Sequence, residues 1–171
     1  FIVVILLLNI RYTKVTPDFG VLNKVINFID ESRTINNLQL TKAIFSTDQV
    51  TVTIRSEEFL AIRSFPQSNR LENEIPYEMY QKGKYSYINL IFPWKGNEKG
   101  GDITILQSVA DKIVFSNNTF INLTEDIFEI QGQSSDIISF LLKMAENKQI
   151  HKFSFSVFHR DSGEFNLKVK L

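Results

Sequence analysis

The clearest alternation of apolar and polar positions is Val50-Thr51-Val52-Thr53-Ile54, β-branched throughout, which predicts a strand. The turn-forming Ser46-Thr47-Asp48-Gln49 before it makes Leu38–Ile54 a hairpin. Ahead of the hairpin, Pro17-Asp18 has the composition of a helix start, and Leu22, Val25, Ile26 and Ile29 then fall on one face of a helix over Asp18–Glu31. Behind it, Ser56 with Glu57 and Glu58 opens a short helix over Ser56–Phe65 that Pro66 is expected to end. Residues 66–84, with Pro66, Asn69, Asn73, Pro76 and Gly83, read as a long polar loop. Tyr77, Met79, Tyr80 and Tyr85 around its end are suited to covering a sheet or meeting a partner. Tyr85–Phe92 is the next strand.

The same order recurs in the second half. Trp94–Gly101, rich in glycine and charge, is the best boundary between the two. Asp102 caps a helix over Asp102–Ile113 with Ile103, Leu106, Ala110 and Ile113 inward. Strands at Phe120–Leu123 and Ile127–Ile130 follow, then a helix over Ser135–Glu146 with a broad apolar stripe and Asn147 as its C-terminal cap. Phe153–Phe158 and Phe165–Leu171 alternate with period two around the turn Asp161-Ser162-Gly163. The expectation is an α+β protein of two tandem ferredoxin-like units, with helices packed on antiparallel sheets. These are αββαβ over 15–94 and αββαββ over 102–171, joined by a linker at 95–101. The first unit lacks a closing hairpin strand in this reading. The terminal strand Phe165–Leu171, if it lies at an edge, offers itself for pairing across a dimer; the same alternation also permits it inside the sheet.

Phe1-Ile2-Val3-Val4-Ile5-Leu6-Leu7-Leu8 is wholly apolar but far shorter than the roughly 20 residues that cross a bilayer. Residues 1–14 are expected to be the end of a transmembrane helix and its exit segment, with a buried first strand as the alternative. Composition narrows the rest. In 171 residues there are 19 basic and 19 acidic side chains, which gives no basic footprint for nucleic acid. The absence of cysteine excludes disulfides and thiolate metal sites.

Candidate chemistry is sparse. His159-Arg160-Asp161 and Asp18-Phe19-Gly20 match two kinase triplets, but in reversed order and without a phosphate loop, so they read as a hairpin turn and a helix start. His151 and His159 flank one strand eight residues apart, roughly 26 Å by strand rise, too far to share a metal ion; both read as exposed strand-end histidines. The pairs Glu57/Glu58 and Glu125/Asp126 suit a helix start and a turn better than catalysis. No Walker loop, GxSxG or Rossmann glycine pattern occurs. The expectation is therefore a protein that is not an enzyme, with no catalytic, cofactor-binding or metal residues.

Phe128-Glu129-Ile130-Gln131-Gly132-Gln133-Ser134-Ser135, the Leu-rich helix Ile137–Leu142, then Phe153–Phe158 and Glu164–Val169, resemble a known segment. It is the periplasmic domain of the PilN and PilO proteins of type IV pilus machines, and of the related L and M components of type II secretion systems. The resemblance spans residues 102–171 well and 18–92 by pattern. It implies a single-pass protein of the bacterial inner membrane with its folded part in the periplasm. It further implies a non-catalytic scaffold whose partners are other platform proteins, met as a homo- or heterodimer. The rival expectations are a soluble small-ligand-binding regulatory domain of ferredoxin-like type, or a structural subunit of another secretion or phage apparatus.

Overall fold

The alternating segments pair with one another until they form a single sheet. In the computed structural model of the chain, which describes residues 17–31, 38–69, 71, 75–96, 101–160 and 162–171 (backbone alone for 17–19), the elements run in a fixed rhythm. They are α1 (Pro17–Glu31), β1 (Gln39–Phe45), β2 (Gln49–Ser56), α2 (Phe59–Ser68), β3 (Tyr77–Lys82) and β4 (Tyr85–Pro93). The second set is α3 (Ile103–Ala110), β5 (Phe120–Leu123), β6 (Ile127–Gly132), α4 (Ser134–Glu146), a 3-10 turn at Ile150–Lys152, β7 (Ser154–His159) and β8 (Phe165–Lys170). The eight strands lie in the order β3-β4-β2-β1-β7-β8-β6-β5, antiparallel throughout.

Period-two alternation explains the layering. Val50, Val52 and Ile54 on β2, Ile88, Leu90 and Phe92 on β4, and Phe155 and Val157 on β7 are buried in one core. Leu22, Val25 and Ile29 of α1 and Ile137, Phe140 and Leu141 of α4 enter the same core, so the helices cover one face of the sheet. The two halves meet where β1 pairs with β7 and α1 packs on α4. Phe45 stacks on Phe155 at 3.9 Å between ring centroids, and Trp94 meets Phe45 edge-on at 5.1 Å. Trp94, the last residue of the expected first unit, is thus part of the core at the junction, while 97–100 of the expected linker lie outside the described residues.

Several expectations change. The segment read as a loop, 66–84, contains β3, so the first half carries the closing hairpin that the sequence reading denied it. Each half then runs α-β-β-α-β-β, and the strand order of the first, β3-β4-β2-β1, recurs in the second as β7-β8-β6-β5. Phe165–Lys170 is an interior strand between β7 and β6 and is not available at an edge. α2 runs through Pro66 to Ser68: the proline ring is buried against the core, and the helix forgoes the bond that an N–H there would donate to Ile62 O. α3 stops at Ala110, short of the expected Ile113. Among the described residues no helix is long and apolar enough to cross a membrane, and Phe1–Leu8 lies outside them.

Candidate functional site

Among the described residues the titratable side chains do not converge on one site. His151 sits in the 3-10 turn, not on a strand, with its ring 4.7 Å from that of Trp94. His159 ends β7, half-buried, with its ring 4.7 Å from Phe165. Arg55 Nε donates to Gln39 Oε1 at 2.8 Å, which orients the amide so that Gln39 Nε2 donates to His159 Nδ1 at 2.7 Å. Neither histidine is the exposed strand-end group expected, because aromatic neighbours cover both. Among the described residues no three His, Cys, Asp or Glu side chains come together as metal ligands would.

Among the described residues Asp136 is the one buried carboxylate, and the chain folds a cage around it. Oδ1 accepts from the Ser116 N–H at 3.1 Å and from Ser116 Oγ at 3.1 Å. Oδ2 accepts from Thr119 Oγ1 at 2.7 Å and from the Gln133 N–H at 3.2 Å, the latter half of a capping box at the start of α4. Burial alone raises its pKa, but the bonds from Thr119, Ser116 and Gln133 outweigh burial and hold the carboxyl below its usual value. A carboxylate with four donors and no open side cannot take a proton from a substrate. Its role is to tie the loop before β5 to α4.

The other acids singled out in the sequence lie at the surface where they are described. Glu57 pairs with Lys84 at 2.6 Å, and the lysine lowers its pKa by hydrogen bond and charge. Glu125 and Asp126 form the two-residue turn between β5 and β6, closed by the Thr124 N–H donating to Ile127 O at 2.9 Å. His159-Arg160 leads into the β7–β8 turn, where Gly163 has φ +85° and the Arg160 N–H reaches Glu164 O at 2.8 Å. Gly20, the last residue of the other triplet, lies inside α1.

What the sheet does present is surface. Across the side turned from the helices, Thr53 Oγ1 donates to Asn89 Oδ1 at 2.8 Å and Lys168 lies 3.5 Å from Glu129. Tyr80 and Tyr87 stack at 4.9 Å, and burial, then the Tyr87 and Glu78 charges, raise the Tyr80 pKa. At the end of the sheet where β1, β7, β8 and β6 finish or begin, a cavity of about 560 Å³ opens between the two halves. Ile44, Phe155 and Ile127 give it apolar walls, and Lys168, Lys170 and Asp126 are its charged groups. Chemically it suits a small amphipathic molecule. Sequence reasoning missed this cavity because it depends on the β1·β7 pairing, which no local pattern announces.

No protein-family model matches the chain, and no curated protein or solved structure is significantly similar to it.

Proposed function

We propose that the chain is a non-catalytic scaffold of a type IV pilus or type II secretion inner-membrane platform. It acts through homo- or heterodimeric contacts with other platform proteins in the periplasm, and the segment ending at Phe1–Leu8 anchors it by a single pass. The observation that carries this is the doubled α-β-β-α-β-β order, with one strand order used twice. A ferredoxin-like β-α-β-β-α-β chain whose first strand is moved to its end has that sequence of elements, so the halves are read as two permuted ferredoxin-like units. The resemblance of residues 102–171 to the platform proteins supports the same reading. So does the chemistry: every buried or paired acid discussed above has a structural partner. Such a protein needs no cofactor and has no use for nucleic acid.

The test is a pull-down of the full-length protein from detergent-solubilised native membranes, with mass spectrometry of what copurifies. Recovery of pilus or secretion platform proteins with an assembly ATPase is the expected result. Recovery from the soluble fraction without them would sink the reading.

One observation favours a second reading, a small-ligand-binding regulatory domain: the cavity between the halves. That reading expects small amphipathic molecules to raise the melting temperature, and expects Lys168→Ala with Lys170→Ala to abolish the rise.

A further inference from the structure

The junction inside this molecule is a pattern that its two ends repeat. Because both halves use one strand order, β1 of the first half corresponds to β5 of the second, and β3 of the first to β7 of the second. β1 and β7 are already paired. Their counterparts β5 and β3 are the two edges of the sheet, and among the described residues neither has a second neighbour. We infer that β5 of one copy pairs with β3 of the next, so that copies of this chain join head to tail by repeating the β1·β7 junction. The inference stands on the sheet alone and does not need the pilus-platform reading.

The register can be carried over residue by residue. Both first hairpins close on two-residue turns, Thr47-Asp48 and Glu125-Asp126, with the Ser46 N–H bonded to Gln49 O and the Thr124 N–H to Ile127 O, each at 2.9 Å. Counting from those turns, Val52 and Ile130 are equivalent, and so are their partners Ala43 and Ile121, and Leu90 and Leu167. Leu90 pairs with Tyr77 and Leu167 with Val157, so Tyr77 matches Val157. The internal pair Ala43·Val157 therefore becomes Ile121 against Tyr77 of the next copy, and Lys42·Phe158 becomes Phe120 against Glu78.

The hydrogen-bonding phase agrees. In an antiparallel strand successive residues turn their N–H and C=O groups to opposite sides. Thr124 faces β6, so Asn122 and Phe120 do too, and Ile121 and Leu123 face outward. The Ile91 N–H donates to Pro76 O, so Pro76 faces β4, and Tyr77, Met79 and Gln81 face outward. The missing N–H of Pro76 consequently costs the open edge nothing. Ala43 and Val157 hold the same outward phase in the existing junction.

Length and polarity bear on it too. The β1·β7 junction spans four residue pairs and β5 has four residues; in the carried-over register they face Glu78 and Tyr77 of β3 and then Pro76 and Ile75 just before it. Six of the twelve large apolar side chains exposed among the described residues are Tyr77, Met79, Tyr80, Phe120, Ile121 and Leu123, all on these two short strands. Ile121 is 46 % exposed and Tyr77 37 %, whereas Ala43 and Val157, their counterparts in the junction, are both 0 % exposed. A heterologous contact of this kind does not use itself up: each added copy presents a fresh β5 or β3, which gives rings or filaments.

The chain has no cysteine, so disulfide capture reads the contact cleanly. Phe120 and Glu78 would form a non-hydrogen-bonded pair, where Cα atoms lie about 4.5 Å apart, within the roughly 4.4–6.8 Å that a disulfide accepts. The full chain is prepared in mild detergent as Glu78→Cys and Phe120→Cys single variants and as the double variant, each checked for an unchanged melting temperature. On oxidation the mixed single variants should give a crosslinked dimer, and the double variant a ladder of multimers. Ile121→Lys added to the double variant should thin the ladder at least about tenfold, since it puts a charge where the junction holds a buried side chain. Crosslinking of either single variant with itself would show a two-fold contact and overturn the proposal. Absence of any crosslink in the mixture would also overturn it, as would equal capture with Gln81→Cys in place of Glu78→Cys.

Discussion

Replacing Asp136 by asparagine exchanges one oxygen for an NH₂ group with almost no change of shape. In the folded protein each carboxylate oxygen accepts one bond from a backbone N–H and one from a hydroxyl. Whichever way the amide is turned, its NH₂ must face a backbone N–H, of Ser116 or of Gln133. The hydroxyl on that side can rotate to accept, recovering one bond, but the backbone donor is left buried and unpaired. An unpaired buried donor costs about 1–3 kcal/mol, and the charge-assisted bonds that remain are weakened, so the expected loss is about 2–4 kcal/mol. For a chain of this size that corresponds to a fall in Tm of roughly 5–15 °C. The assay is urea unfolding followed by circular dichroism at a series of pH values. Because the folded pKa of Asp136 is lowered, the unfolded chain binds more protons than the native one in the acid range. The carboxylate's contribution is complete above the ordinary aspartate pKa of about 3.9 and is lost as pH falls through the lowered folded value. The gap between parent and variant must therefore be full at neutral pH and close in acid. A variant within about 0.5 kcal/mol of the parent at neutral pH, or a gap that widens in acid, would refute the reasoning.

Three further outcomes follow from the packing. Gly101→Ala places a Cβ 2.0 Å from Phe153 Cζ, on a ring that is itself buried, and should cost at least about 1–3 kcal/mol in urea unfolding. Lys148, just past α4, has φ 56°, so Lys148→Gly should raise stability by about 1 kcal/mol, read as an upward shift in Tm. Phe155→Ala removes the ring stacked on Phe45 at the junction of the halves and should cost about 3–5 kcal/mol; a loss under about 1 kcal/mol would show that the halves do not depend on that contact.

Strands with one buried face were legible because burial on one side forces period two: β2, β4, β7 and β8 all show it. β3 was not legible, because all six of its residues are exposed and nothing on either face demands an apolar side chain. Its signal lay in the turn instead. Gly83 has φ +61° and Lys84 does not, the pattern of a two-residue hairpin turn with glycine first. The place of β8 inside the sheet was unreadable for a different reason, since alternation states which face is buried and not which neighbour is paired. Cross-half pairing is set by contacts far apart in sequence, such as Phe45 with Phe155. The Asp136 cage was half legible: Gln133 with Asp136 three residues on is a capping box, but the hydroxyls of Ser116 and Thr119 come from another segment. The two kinase triplets were legible as a hairpin turn and a helix start, and the structure puts His159-Arg160 at the end of β7 and Gly20 inside α1.

The strength of the proposed edge contact can be bounded from the same burial. Ile121, Leu123 and Tyr77 are each between 37 % and 46 % exposed, so pairing covers less than half of each side chain. Full burial of such residues is worth about 1.5–3 kcal/mol each, which leaves at most roughly 2–4 kcal/mol for the three. Two or three edge hydrogen bonds, the Ile75 N–H being already bonded to Leu71 O, add about 1–4 kcal/mol. Association itself costs about 4–15 kcal/mol in lost freedom, so pairing between two free copies in dilute solution is weak and reversible. A contact of that strength becomes effective where copies are already held close together and aligned, because the effective concentration then replaces the bulk one. A surface that holds many copies by one end supplies that condition, and so does every copy already added to a growing row. The weakness is also why capture by a disulfide, and not elution volume, is the readout that decides the contact.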